Sequence, residues 1–249
     1  MRQSFILAQK SFRKSLRDKI FIIFFIFASI LIFLSFLLSS LTFTARLKMI
    51  KDVGLFGISV FSSFIAIFLS AEAVVGEVEK KTIYILLSKP PGRKNFLLGS
   101  FLGIALTAGT SILINGCILF FLIFTKQNII DYEILIALFF MELEVLVLTS
   151  IGIMFSSFSS SVMTSTFLSL LFYILGHLNP QFESLKKITQ NTILKELLTF
   201  LQWILPNLEL FKIPESLNMF YAALAALYSV FYSGICLIIA CIIFERRQL

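Results

Sequence analysis

Long apolar runs separated by short charged clusters set the pattern of this chain. Runs free of charge extend over Ile20 to Leu41 and Val53 to about Ala71, each bounded by charge clusters. A third covers Phe96 to Thr125, and a fourth covers Ile134 to Phe155 with Glu142 and Glu144 inside it. After the polar link Ser156 to Ser161, a fifth spans Val162 to Leu178; a sixth, Phe220 to Phe244, ends abruptly at Glu245, Arg246 and Arg247. A helix needs about 20 apolar residues to cross roughly 30 Å of hydrocarbon. The pattern therefore predicts an all-α integral membrane protein of six transmembrane helices, a single domain over residues 1–249. The serine link reads as a tight turn between antiparallel helices, and Gly99, Gly103, Gly109 and Gly116 are positions where neighbouring helices could approach closely.

Two further segments are periodic without being long enough or apolar enough to span. In Arg2 to Lys19, Phe5, Phe12 and Leu16 recur at helical intervals against Lys10, Arg13, Lys14 and Arg17. This predicts an interfacial elbow helix that lies in the headgroup plane and turns into the first span; the alternative is a solvated basic leader. Between Pro180 and Pro206, Phe182, Leu185, Ile188, Leu194, Leu197, Leu201 and Ile204 recur at three- and four-residue steps, with Trp203 near the end. One outer-face amphipathic helix is expected there, or a helix packed over the spans as a lid.

Composition agrees with a bilayer. Apolar residues make up 58% of the 249 and charged residues only 14%, against about 25% charged in ordinary soluble domains. The net charge of +7 comes from clusters between the runs, not from one basic face, so nucleic acid is not an expected partner. Those clusters orient the chain. Arg2, Lys10, Arg13, Lys14, Arg17 and Lys19 precede the first span, and Lys80, Lys81, Lys89, Arg93 and Lys94 lie between the second and third. The positive-inside rule then places both termini in the cytosol. The first run is too long for a signal-peptide core and lacks a small-residue cleavage site, so it should remain as an anchor. Cys117, Cys236 and Cys241 lie within apolar runs without paired spacing, which suggests neither disulfides nor zinc.

Candidate chemistry is sparse. The sequence contains no HExxH, GxSxG or GxxxxGK[ST] pattern, so neither a metalloprotease or hydrolase site nor a phosphate cradle is evident. No catalytic and no metal-binding residues are assigned. Three intramembrane polar residues stand out. An acid near mid-span costs on the order of 2 to 3 kcal/mol, so Glu142 and Glu144 need local compensation. Their separation of about 200° around a helix keeps them from facing one partner together. Either acid could serve a proton-coupled secondary carrier, or both could be packed and hydrogen bonded. His177, the sole histidine, lies at the outer end of the fifth run and reads as structural. An intramembrane hydrolase would require it to meet one of the acids, and a histidine at a span end is expected to lie at a different depth from them.

The segment from Glu72 to Lys94 and its continuation carries more. Glu77, Glu79, Lys80 and Lys81 precede Ile83, Ile85, Leu86 and Leu87, a short mixed helix that could lie on the inner membrane surface; Pro90, Pro91 and Gly92 end it. Arg93 and Lys94 then anchor the third span to lipid phosphate. The run Glu79, Thr82, Leu86, Leu87, Ser88, Lys89, Pro90, Arg93, Phe96, Leu97, Leu98 and Gly99 resembles the signature of type 2 ATP-binding-cassette (ABC-2) permeases. Lys81, Gly92 and Ser100 stand where that signature commonly has glycine, serine and lysine. Tyr173, Ile174, Gly176 and His177, the tract Leu205 to Phe211, and the closing Phe244, Arg246, Arg247 and Leu249 resemble a subgroup of the same permeases.

The resemblance implies a six-helix permease with an elbow helix, working as a homo- or heterodimer in the plasma (inner) membrane on cytosolic ATPase subunits. ATP and magnesium would then be bound by the partner ATPase and no cofactor by this chain. The stretch Glu77 to Leu87 would be the coupling helix, with Glu72, Glu77, Glu79, Thr82, Leu86, Leu87, Pro90 and Arg93 as ATPase-coupling residues. By the same analogy the direction is export.

Overall fold

A computed structural model describes residues 2–39, 46–79, 92–127, 131–188, 192–212 and 219–246. Among the described residues the regular structure is helical. The elbow α1 (Arg2–Leu16) leads into α2 (Lys19–Ser39), α3 (Arg46–Glu79), α4 (Arg93–Gln127) and α5 (Tyr132–Phe158). The shorter α6 (Val162–His177), α7 (Asn179–Ile188) and α8 (Thr192–Ile204) follow, then a 3-10 turn at Leu208–Phe211 and the final α9 (Met219–Arg246). Helices α2, α3, α4, α5 and α9 are each long and apolar enough to cross a bilayer, as a multi-pass membrane protein requires.

The spans differ in how much they bury. α5 is the most enclosed and α2 the least, so α5 is the pillar and α2 a peripheral strut. Small residues let helices close on this pillar. A side chain at Gly152 of α5 would collide with Ser70 of α3, and one at Gly116 of α4 would collide with Leu138 of α5. At Gly103 a Cβ would stand 2.5 Å from Ser11 Cβ and 2.7 Å from the carbonyl of Ala8, so the elbow lies directly on the backbone of α4. Asp18 makes the sharp bend possible by accepting the N–H of Ile20 at 2.9 Å and capping α2.

Side-chain pairing fixes the two ends of the bundle. At one end Lys14 of the elbow meets Glu77 of α3 at 2.5 Å. Arg93 at the start of α4 donates to the carbonyls of Phe244 and Glu245, both at 2.9 Å, while Lys94 lies 3.3 Å from Glu245. The elbow and the end of α9 therefore share one end. At the other end Lys51 of α3 pairs with Asp131 and Glu133, which open α5.

Three expectations need correction. The second span does not stop near Ala71, because α3 continues to Glu79. Helix formation there is supported by packing of Val74 into an inner cluster with Phe96, Leu97, Ile153 and Phe244. The fifth run is not a full span on its own. α6 has 16 residues, about 24 Å at 1.5 Å per residue, and only by counting the bent continuation into α7, at 53°, does a sixth crossing arise. Finally, the expected single helix between Pro180 and Pro206 is two. α7 and α8 form a hairpin in which Lys186 bonds Gln202, and Gln202 donates to the carbonyl of Asn179 at 3.2 Å. Periodicity ran on through both because a hairpin whose halves share an apolar side keeps three- and four-residue spacing in each.

Candidate functional site

The base of the α7–α8 hairpin meets α9 well below its start. Tyr232, which accepts this contact by donating to the carbonyl of Ile204 at 3.0 Å, lies about 20 Å along α9 from Met219 at 1.5 Å per residue. Irregular backbone at such depth survives only when its polar groups find partners in the protein. They do here. Asn207 N–H donates to the Tyr228 hydroxyl at 2.8 Å, Tyr221 donates to the carbonyl of Leu210 at 2.9 Å, and Asn179 donates to the carbonyl of Leu205 at 3.3 Å. Leu208 and Phe211 plug the 3-10 turn into the core.

This turn completes a polar cluster around His177. Its Nε2 lies 3.2 Å from Glu144 Oε1, and its Nδ1 lies 3.6 Å from Glu209 Oε1. Lys212 reaches the same Glu209 oxygen at 2.5 Å. The Tyr173 ring stands edge-on to the imidazole with centroids 4.8 Å apart. Glu144 is almost fully buried, and His177 is its compensating partner. Ser229 of α9 donates to the carbonyl of Leu143 at 2.9 Å, so three helices and the turn converge within one layer.

The expected difference in depth between His177 and the acids is thereby overturned. Glu144 lies 14 residues before the end of α5 at Phe158 and His177 lies 15 residues after the start of α6 at Val162, so the antiparallel pair of helices brings them level. α6, about 24 Å long, is shorter than the roughly 30 Å of a bilayer's hydrocarbon. Glu142 turns the other way. Its carboxylate covers Gly109 of α4, whose added Cβ would stand 2.6 Å from Oε1. The two acids thus face different neighbours, as their spacing around the helix demands. Among the described residues no cluster of His, Cys, Asp and Glu could hold a metal ion.

The expected coupling residues divide. Glu72, Glu77 and Glu79 lie on the final turns of α3, Glu77 bound to the elbow and Glu79 exposed. Arg93 is engaged with the last turn of α9, its guanidinium also 5.7 Å from the Phe244 ring centroid. Cations at helix C-termini satisfy the last carbonyls. Thr82, Leu86, Leu87 and Pro90, with most of the expected coupling helix, lie outside the described residues.

One residue that motif reading passes over ties this end to the pillar. Ser156 of α5 accepts the N–H groups of Val74 and Val75, both at 3.1 Å, and donates to the carbonyl of Ala71 at 2.7 Å. A side chain inserted into the backbone ladder of a helix is a recognised cause of bending. The stitch falls where α3 leaves the strongly apolar run and enters its acidic final turns.

A family model described as ABC-2 family transporter protein matches residues 5–249. The chain belongs to that family. A comparison with curated proteins gives no match. Membership makes this chain an ABC-2 permease, of a family whose members are generally non-catalytic membrane subunits. The match takes in the elbow, the spans, the hairpin and the polar cluster together. Glu209 lies in the Leu205 to Phe211 tract that carried the resemblance, but its place beside His177 was not legible there; nor were the partners of Lys14 and Ser156 in this ABC-2 permease, which are more than 60 residues away.

Proposed function

We propose that this ABC-2 permease is the membrane half of an ATP-driven exporter, working as a dimer over separate cytosolic ATPase subunits that bind ATP and magnesium. The supporting observation is the family match over residues 5–249. Orientation follows from the cationic elbow and the clusters flanking α4, which favour a cytosolic location for the end that carries Lys14, Glu77, Arg93 and Glu245. Both termini then lie on the ATPase side.

In this reading closure of the ATPase pair over ATP displaces the segment from Glu77 to Leu87. Movement there passes to the elbow through Lys14 and Glu77, and to α5 through Ser156. α5 in turn carries Glu144, and so the His177 cluster and the base of the hairpin. ATP shifts the equilibrium only by contacts that differ between inward and outward states. The ion pair at Glu77 and the hydroxyl stitch at Ser156 are the described contacts best placed to differ. The transported substrate is unassigned, since the fold by itself does not name a cargo.

A second reading draws on the mid-membrane acid and imidazole. Glu144 with His177, or Glu142 over Gly109, would carry protons in a secondary carrier that runs without an ATPase. Purification and reconstitution separate the two. Under the exporter reading a subunit with a GxxxxGK[ST] loop co-purifies and transport stops without it. Uphill transport by the permease alone would refute the exporter reading and favour the carrier. A cysteine scan of residues 77–87 against the co-purified subunit should give crosslinks; a complete scan without one would remove the coupling assignment. Glu79→Lys should uncouple hydrolysis from transport while assembly persists.

A further inference from the structure

A cleft of mixed polar and apolar lining, open on one side and with about 60 Å³ of room for water, lies where the elbow crosses α3 and α4. Its walls have opposite character. The elbow contributes Lys10 and Lys14 along one side; α3 contributes Glu72 and Glu77 opposite, with Asp18 at the bend. Ser11, Ser15 and Ser100 add hydroxyls, and the deep side is apolar, closed by Leu69, Phe96 and Ile104. Charge and hydrocarbon thus meet at the level where an amphipathic helix rests on a bilayer.

We propose that this cleft binds a phosphoethanolamine group, with the phosphate on the elbow lysines and the ammonium on the α3 carboxylates. Glu72 and Glu77 face Lys10 and Lys14 across the cleft and Asp18 adds a third carboxylate at the bend, so a purely anionic headgroup meets more repulsion than a zwitterion does. Glu77 already binds Lys14 at 2.5 Å, but a carboxylate has about four acceptor sites and accepts further donors. An ethanolamine ammonium supplies N–H donors that a choline group lacks, which makes the site selective between the two. Leu69, Phe96 and Ile104 would receive the first carbons of the acyl chains if the group belongs to phosphatidylethanolamine. Such a lipid clamps the elbow against the spans. The inference needs only that the chain lies in a bilayer, not that an ATPase drives it.

The test uses the full chain, delipidated in detergent, with retention of added lipid read by native mass spectrometry and thermal stability read in parallel. Phosphatidylethanolamine should be retained about tenfold better than phosphatidylcholine or phosphatidylglycerol of the same chain length, the worth of one charge-assisted hydrogen bond. Lys10→Gln, at an exposed elbow position, should weaken retention of phosphatidylethanolamine, and Glu72→Gln should abolish the preference over phosphatidylcholine. Soluble O-phosphoethanolamine that stabilises equally well assigns the site to a free ligand of the same chemistry; a requirement for acyl chains assigns it to the lipid. Equal retention of all three lipids, or an unchanged preference in both variants, overturns the proposal.

Discussion

Replacing Ser156 by alanine removes one oxygen and little volume, so its effect isolates the hydroxyl stitch between α5 and α3. The hydroxyl accepts two N–H groups of α3 and donates to one carbonyl of the same helix, and it is fully buried. Each hydrogen bond contributes about 1 kcal/mol net, whereas a buried donor left unpaired costs about 1 to 3 kcal/mol. If the amides of Val74 and Val75 share their hydrogens with carbonyls one turn earlier in the continuous helix, the loss is near the lower value; if Ser156 is their main acceptor, the loss is near the upper one. Ser156→Ala should therefore destabilise the permease by about 1 to 3 kcal/mol. It should also speed hydrogen exchange at Val74 and Val75. Ser169→Ala is the control, because Ser169 is equally buried but bonds only to the carbonyl of Ser165 within its own helix, at 2.8 Å. Unfolding in mixed micelles and exchange mass spectrometry of the peptide spanning 70–79 give the two readouts. Equal stability and equal exchange in the two variants would refute the claim that the stitch holds α3 to the pillar.

Other perturbations test the remaining contacts. Glu144→Ala should destabilise by about 1 kcal/mol, because His177 loses its Nε2 partner but keeps Glu209 beside Nδ1, and His177→Ala should cost more, about 1 to 3 kcal/mol, by leaving the buried Glu144 without it; a double-mutant cycle without coupling would show that the 3.2 Å contact is idle. Gly103→Ala should loosen the elbow, because the clash with the Ala8 carbonyl is against backbone and overpacking of this kind costs about 1 to 3 kcal/mol; protease sensitivity near Arg13 and Arg17 that stays at the wild-type level would count against close packing. Arg93→Gln should fray the last turn of α9 by removing the donor to the carbonyls of Phe244 and Glu245, detectable as faster exchange at residues 240–246.

The sequence and the fold agree on elements whose signal is local. The elbow, the first four spans and the last announce themselves through apolar runs and flanking charge, because lipid contact and helical hydrogen bonding act on each segment separately. Glycines at 103, 109 and 116 were also legible as points of close approach, although what approaches them, the elbow, Glu142 and Leu138, was not. The α7–α8 hairpin was misread as one helix because a chain reversal leaves hardly any mark on a three- and four-residue pattern.

Local sequence alone determined that this chain is a multi-pass membrane protein, which of its runs are apolar enough to cross and which residues would be costly there. Tertiary structure decided which partners offset that cost. Glu144 pairs with His177 only because an antiparallel hairpin sets them at one level, and Ser156 reaches the backbone of Ala71, Val74 and Val75 only because Gly152 lets α3 lie against α5. Burial of apolar surface is additive along a chain and can be read one segment at a time. Satisfaction of a buried polar group depends on what stands a few ångströms away, and that is set by how helices far apart in sequence come to pack.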